Sequence, residues 1–320
     1  MTLDLNEWCF THLNSARNAS RNEVKAECPF CNVDQDKFSI SISKKVFNCF
    51  RARCGAKGRA DKLIAHVQDI SRAEARSMLG QFEAVKLTPL ATMRSAYAKS
   101  KAAEKTEIEL PPEFIPCFAE NRDPQWRVVK YLRERNISQD VLLAYGVGFC
   151  VTGKFKNRIL VPIKWPSGYA FTGRDATIEF KSNRFRPKYR NPPGSWASEA
   201  LGGWDFYIQS PGQDLVLVEG PFDMLNLANH GIAAMCLLGK VVSDSQRRLL
   251  YKLPSDTNIF LMIDPGEKRR EFDRAAAQLV GKFENLYVAK VPEGKDPGDC
   301  TEDEAFDAMD EAKKWTGALT

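Results

Sequence analysis

A chain of 320 residues with 43% hydrophobic content is long enough for more than one buried core, and chains of this length usually divide into domains. The formal net charge is only +5, no apolar run approaches bilayer-spanning length, and the opening MTLDLNEWCFTHLNSARN carries acids and polar groups where a secretory leader needs apolar residues. These features argue against a membrane partner and for a cytoplasmic protein, in which nine cysteines, an odd number, suggest metal binding plus scattered thiols rather than a disulfide framework.

The first predicted module centres on CPFC at 28–31 and NCFRARCG at 48–55. Cys28 and Cys31, then Cys49 and Cys54, form two thiolate pairs able to close a tetrahedron around one structural Zn2+. Four buried thiols that never meet a metal are the alternative. Between the pairs, KFSISIS alternates Phe38, Ile40 and Ile42 with polar neighbours, as a half-buried strand does, and Gly55 and Gly58 supply turns, which is the pattern of a zinc ribbon. Arg51 and Arg53, between the last two cysteines, are candidates for base or phosphate contacts, or for simple solubility. Leu63, Ile64, Val67 and Ile70 share a helical face, and Ser71 with Glu74 resembles the capping box of another helix. Cys9, Cys117, Cys150, Cys236 and Cys300 stand alone and are expected in cores.

The zinc module is expected to occupy residues 1–80. From 81 to 112 the texture turns to Lys, Ala, Ser and Thr closed by a double proline, which predicts a flexible linker. PQWRVVKYLRERNI and SQDVLLAYG then read as two short helices, with Trp126, Val129 and Leu132 three apart and Ser138 as an N-cap. Between Lys154 and Arg190 ten basic residues face only Asp175 and Glu179, so positive charge concentrates there while the remaining chain is slightly negative. Aromatics (Phe155, Trp165, Tyr169, Phe171, Phe180, Phe185, Tyr189) interleave with the charges. The stretch reads either as a strand-rich surface for phosphates and unstacked bases or as a solvated face over core aromatics.

The final third alternates short apolar runs (DLVLVEG, IAAMCLLG, NIFLMID, NLYVAKVP) with segments of helical periodicity, which predicts a parallel sheet covered by helices. Active sites in such sheets gather at the carboxyl ends of strands, and acids fall there: Glu219, Asp223, Asp264, Asp296 and Asp299. Converging carboxylates suit hard divalent cations acting on phosphoryl groups. An acid ending a buried strand is costly unless paired or metal-bound, which singles out Glu219 and Asp264. For Asp223 the alternative is a helix-dipole charge, and for Asp299 a turn residue.

VEGPFD followed by MIDPG resembles a Toprim domain, and CPFC with CFRARCG ahead of it resembles the zinc-binding domain of DNA primases of the bacterial and bacteriophage DnaG type. Between them FKNRILVPI, SGYAFTGRD and KYRNPPGS resemble the basic subdomain of that family's RNA polymerase domain. The resemblance implies a multidomain α+β and α/β chain: zinc ribbon, linker, a basic strand-rich subdomain at 113–212, a Toprim parallel-sheet domain at 213–300 and a C-terminal helix at 301–320. It implies synthesis of RNA primers from ribonucleoside triphosphates on a single-stranded DNA template, with Mg2+ or Mn2+ at the acids. A replicative helicase would act in trans, in a bacterial or phage-infected cell.

Carried over by position, the family's glutamate falls on Glu219, as ligand or general base, and its following aspartate on Asp223. The first acid of its Asp-x-Asp falls on Asp264. Asn157 and Arg158 match an Asn-Arg pair, and Lys188 and Asn191 a Lys-x-x-Asn; with Arg174 these would hold template or nucleotide. Two acids are replaced, by Gly266 and Gly298, so that Glu267 or Asp299 is left to substitute. Cysteine also stands where many relatives carry histidine in the zinc motif, and no helicase segment follows within these 320 residues. The alternatives to a primase are a catalytically inactive zinc and single-strand-binding replication factor, which the two glycines favour, and a Toprim nuclease.

Overall fold

Asp4 starts the first helix: its carboxylate accepts hydrogen bonds from the backbone N–H of Asn6 (2.8 Å) and Glu7 (3.2 Å), satisfying donors that a helix start leaves unpaired. The computed structural model describes residues 2–32, 37–80, 106–117, 126–177, 186–209, 211–262 and 269–317. The chain divides into two compact units, Met1–Ala84 and Val85–Thr320.

In the first unit, α1 (Leu5–His12) precedes a five-stranded antiparallel sheet in chain order: β1 (Arg17–Ser20), β2 (Glu23–Ala26), β3 (Phe38–Ser41), β4 (Val46–Cys49) and β5 (Lys57–Arg59). The period-two pattern expected of KFSISIS is realised, with Phe38 and Ile40 fully buried and Ser39 and Ser41 facing outward. The buried face of the sheet packs with Leu5, Trp8, Leu63 and Ile64. Helices α2 (Ala60–Gln68) and α3 (Arg72–Met78) follow, and Ser71 and Glu74 form the expected capping box at α3. Asp61 on α2, fully buried, accepts from Arg72 Nε (2.9 Å) and Arg76 Nε (3.0 Å), so the two helices are held by a desolvated charge group as well as by apolar contact.

In the second unit β6 (Thr106–Glu107), β7 (Phe114–Pro116), β8 (Gly148–Cys150), β9 (Arg158–Trp165), β10 (Gly168–Asp175) and β11 (Tyr189–Arg190) build a sheet ordered β11-β10-β9-β8-β7, with β6 paired parallel to β10. Two short helices, α4 (Trp126–Glu134) and α5 (Gln139–Ala144), lie between β7 and β8, and Ser138 caps α5 as expected. The β9–β10 hairpin turns through Pro166 and Ser167, and Gly168 is needed there because a Cβ would fall 2.3 Å from the Trp165 ring. The 81–112 linker expectation is corrected at its end: β6 joins the sheet, and Ile108 and Leu110 pack against Cys150, Phe155, Leu160 and Phe171. Residues 81–105 lie outside the described residues.

After α6 (Trp204–Gln209), the second sheet runs β13-β12-β14-β15-β16. Strands β12 (Asp214–Val218), β13 (Ala234–Cys236), β14 (Asn258–Leu261) and β15 (Asn285–Val288) are parallel. Their connections carry α7 (Pro221–Asn229), α8 (Asp244–Leu250) and α9 (Arg269–Leu279), as the alternation predicted. The C-terminal segment is corrected from helix alone to a helix and a strand: α10 (Glu302–Asp310) is followed by β16 (Lys313–Lys314), antiparallel to β15. Gly202 and Cys236 exchange backbone hydrogen bonds (3.0 Å each), and Gln246, 1% exposed, donates to the carbonyls of Ala200 (2.8 Å) and Leu237 (2.7 Å). Buried polar groups thus tie the strand-rich part to the parallel sheet. The isolated cysteines 9, 117, 150, 236 and 300 are buried, as expected.

Candidate functional site

The four cysteines converge. Each pair sits in a tight turn: Asn32 N–H bonds to the Cys28 carbonyl (2.7 Å) and Gly55 N–H to the Arg51 carbonyl (2.9 Å), with Asn32 and Gly55 left-handed at φ 50° and 60°. The Sγ atoms of Cys28, Cys31, Cys49 and Cys54 all lie within 4.8 Å of one another, with Cys28 to Cys54 at 3.9 Å and Cys31 to Cys49 at 4.0 Å. A tetrahedron with Zn–S of about 2.3 Å has edges of about 3.8 Å, so the donor set fits one zinc ion. Burial pushes the Cys28 thiol up; burial acts the same way on Cys31, but hydrogen bonds from Cys54, Cys28 and Cys49 outweigh it and lower that thiol. His66 stacks on Phe30 (4.2 Å between centroids) and hydrogen-bonds the Pro29 carbonyl (3.3 Å), bracing the first turn.

Arg51 and Arg53 are exposed, and Phe50 beside them is 65% exposed, a large apolar ring left in solvent next to Cys49. The sequence reading overlooked Phe50 and also a cross-strand row. Register pairs Arg17 with Lys25, Lys25 with Ser39, Ser39 with Asn48 and Asn48 with Lys57, so all five side chains line up on the outward face of the sheet. The two-residue alternation of each strand hints at this face, whereas the alignment across strands needs the register.

In the second unit, the chain leaves β12 for β13 on one side and returns to β14 on the other. That reversal makes the carboxyl end of β12 the switch point of the sheet, where open parallel sheets bind ligands. Glu219 is the first residue beyond that end, half-buried, and Asp223 sits in the first turn of α7, where Oδ2 accepts from Gly220 N–H (2.9 Å). The Asp296–Asp299 segment comes to the same place because Asn226 of α7, 4% exposed, donates to the carbonyls of Pro297 (2.9 Å) and Cys300 (2.8 Å). A Cβ at Gly298 would lie 2.8 Å from Asp223 Oδ1 and 3.1 Å from Asp296 Oδ1, so these carboxylates ring one point. Asp296 Oδ1 is buried and accepts no hydrogen bond among the described residues. Burial and the Asp296 charge hold Asp299 above the usual carboxylate range, in spite of the Arg135 guanidinium 3.0 Å away. Oxygen donors brought to one edge, Asp223 buried, Asp296 partly buried and Asp299 half exposed, are of the type a hard divalent cation takes. Asp264, Gly266 and Glu267 lie outside the described residues.

Cations reach this edge from the strand-rich part. Arg174 lies over the rings of Tyr131 (5.5 Å) and Tyr189 (5.2 Å), and the Tyr189 hydroxyl approaches the Gly220 position. Lys188 and Asn191 flank this tyrosine and are exposed, with Asn191 Oδ1 accepting from Thr172 Oγ1 (2.7 Å). Asn157 is half-buried and left-handed at φ 60°, at the turn into β9. Arg135, which the sequence reading did not single out, pairs with Asp299 (3.0 Å) and Asp296 (3.5 Å).

Arg158 departs from expectation. It is 3% exposed and spends its guanidinium on the carbonyls of Gly173 (2.8 Å) and Pro187 (2.9 Å), with Asp175 at 3.7 Å. It braces the segment carrying Lys188. The base-stacking alternative is likewise corrected for Phe155, Trp165 and Phe171, which are 5%, 1% and 2% exposed: β9 and β10 are covered on both faces and draw these rings into the core. Lys181, Arg184, Phe180 and Phe185 lie outside the described residues.

The geometry defines a class: a four-cysteine zinc-binding module joined in sequence to a strand-rich part and a parallel sheet with acids at its switch point. Residues 216–301 match the Toprim-like family. The chain is 29% identical over 309 residues to the DNA primase of Aquifex aeolicus, covering 86% of this chain and 60% of that protein. It is 23% identical over 311 residues to the DNA primase of Clostridium acetobutylicum, covering 84% and 50%. The chain therefore spans half to three-fifths of the length of these relatives. A crystal structure of the zinc-binding and RNA polymerase domains of Aquifex aeolicus primase shares the fold, with a TM-score of 0.50 at 22% identity over 98% of this chain and 84% of that one. A DNA primase domain from Pseudomonas aeruginosa gives 0.50 at 22% identity over 60% and 74%. The chain resembles DNA primases of the DnaG type in sequence and in fold, with a Toprim-like domain at its C-terminal end.

Proposed function

We propose that the protein is a DNA primase that synthesises short RNA primers on single-stranded DNA from ribonucleoside triphosphates during replication. The observation that carries this reading is the meeting, at the carboxyl end of β12, of carboxylates from α7 and the 296–299 segment with cations from the strand-rich part. Nucleotidyl transfer requires that pairing, because acids must gather divalent charge while bases hold phosphates. Mg2+ or Mn2+, held by Glu219, Asp223 and Asp296 with Asp264 and Asp299, would polarise the α-phosphate and neutralise the leaving pyrophosphate. Where it does not ligate the ion, Glu219 is the alternative general base for the attacking 3′-hydroxyl. Arg174 and Lys188 bind triphosphate or template phosphates, and Asn191 offers a polar contact beside them.

The first unit reads the template. Phe50 gives an exposed ring on which a base stacks, and Arg51 and Arg53 flank it with phosphate or base contacts. The row of Arg17, Lys25 and Lys57 follows the strand backbone. A replicative helicase in trans and a cytoplasmic site in a bacterial or phage-infected cell complete the reading.

The test is incorporation of labelled ribonucleotides on short single-stranded templates with Mg2+ or Mn2+, in wild type, Glu219→Gln and Cys28→Ser. Glu219→Gln is expected to lower synthesis by ~100-fold or more with DNA binding intact, and Cys28→Ser to lose zinc and template preference together. No RNA on any template, with tight DNA binding retained, would transfer the protein to the inactive binding factors.

A further inference from the structure

We infer that a cleft beside the zinc turn of the first unit takes a guanine base, an inference that rests on the reading above in which this unit meets nucleic acid. The cleft holds about 260 Å3, below the size that drug-like ligands need and suited to a single flat ring system. His12 at the end of α1, Asn14, Glu27 just beyond β2, Asn32 and His66 of α2 line it, together with the buried Leu13. The chain has three histidines, and two of them line this one cleft. Each ring is already stacked on one side, His12 on Trp8 (5.0 Å between centroids) and His66 on Phe30 (4.2 Å). What each imidazole offers a ligand is its other face and its edge.

Hydrogen bonding fixes the edges. A carbonyl only accepts, so His12 donates from Nδ1 to the Trp8 carbonyl (3.1 Å), and its Nε2 accepts from Gln68 Nε2 (3.0 Å). His66 donates from Nε2 to the Pro29 carbonyl (3.3 Å), which leaves Nδ1 of the neutral ring an acceptor. The half-buried Glu27 adds two acceptor oxygens with no ion pair among the described residues, and its backbone N–H is tied to the Asn14 carbonyl (3.0 Å). The cleft is therefore rich in acceptors, and among the described residues no Lys or Arg lines it, so a phosphate is the wrong ligand. A metal ion is wrong too, because the four cysteines are the one cluster of metal-donor atoms among the described residues. A neutral planar ligand that presents adjacent donors fits. Guanine does so on its Watson–Crick edge, where N1–H and the N2 amino group lie side by side to meet one carboxylate, and its O6 falls to the amide of Asn14 or Asn32. Adenine and cytosine place an acceptor nitrogen beside their single amino group, and uracil and thymine flank their one N–H with two acceptors, which a carboxylate repels.

The experiment titrates guanosine, which carries no phosphate to seek the second unit, into the zinc-loaded full chain labelled in its histidines. Nuclear magnetic resonance reads the three imidazole signals, assigned through His12→Gln and His230→Gln. Guanosine is expected to move His12 and His66 and to leave His230, in the second unit, where it is. Inosine, which lacks the N2 amino group, is expected to bind at least about tenfold more weakly, as is guanosine to Glu27→Gln. Guanosine that moves neither cleft histidine, inosine or adenosine that binds as well as guanosine, or a zinc-loaded Glu27→Gln that binds guanosine as wild type does overturns the inference. The nucleoside comparison is made on wild type, so it decides the matter should Glu27→Gln lose its zinc. An oligothymidylate carrying one dG then distinguishes the sources of the base: tighter binding than guanosine assigns it to a strand and weaker binding to a free guanosine nucleotide, and both uphold the site. Because the titration needs no synthesis, failed primer synthesis leaves this result standing, and absent shifts leave primer synthesis untouched.

Discussion

Arg158→Met separates two roles for one arginine. In the structure its guanidinium donates to the carbonyls of Gly173 and Pro187 and pairs with Asp175, all beneath the surface. A hydrogen bond from a charged donor contributes roughly 1.5–3 kcal/mol, and breaking a buried ion pair costs about 3–5 kcal/mol. Asp175 keeps Arg186 at 2.8 Å after the change, so its charge is not stranded and the lower part of the range applies. We expect a loss of about 3 kcal/mol, or roughly 6–12 °C in Tm for a unit of this size. The assay is urea unfolding followed by tryptophan fluorescence, together with the salt dependence of single-stranded DNA binding at a temperature where the variant is folded. A brace gives the stability loss with an unchanged salt slope. Stability within about 0.5 kcal/mol of wild type, with the slope reduced by about 0.7, would mean that Arg158 touches a phosphate and that the brace is wrong.

Lys25→Ala with Lys57→Ala removes two cations of the outward row in the first unit, and the salt slope of single-stranded DNA binding is expected to fall by about 1.4, since each phosphate contact on a single strand contributes about 0.7; an unchanged slope with full zinc content would remove the row from the interface. His230 is held below its ordinary value by burial, and its ring hydrogen-bonds the Cys300 carbonyl (3.1 Å). The unfolded chain therefore takes up the proton first, so this histidine's contribution to stability is present above about pH 6.5 and is lost as pH falls through the folded value. Denaturation of wild type and His230→Gln between pH 7.5 and 5 should show the steeper loss in wild type, and parallel curves would contradict it.

Local chemistry explains what could be read in advance. Four cysteines at metal-ligand spacing, a Ser-x-x-Glu cap and four apolar runs separated by helical periods are short-range patterns, and the structure realises them where they were expected. The strands β6 and β16 carry no strand signature, being two residues each; their pairing is decided by an open neighbour edge, so they were assigned to a linker and a helix. Arg158 and Arg135 differ in the same way. The first sits in a motif and faces inward, while the second sits in the unremarkable stretch RERNIS and pairs with two carboxylates, Asp296 and Asp299. Charge in the sequence carries no direction, and only the packing supplies one.

The functional edge is held by side chains that serve other loops' carbonyls. Arg158 fastens the 187–188 backbone and so places Lys188 and Tyr189; Asn226 fastens the 297–300 backbone and so places Asp296 and Asp299. Neither brace is a strand pairing, and each is a buried polar group whose loss leaves carbonyls without donors. The arrangement lets two loops from distant parts of the chain meet the end of β12 without lengthening the sheet. The positions at this edge are set from beneath by Asn226 and Arg158, and the side chains at the surface are left to tune charge.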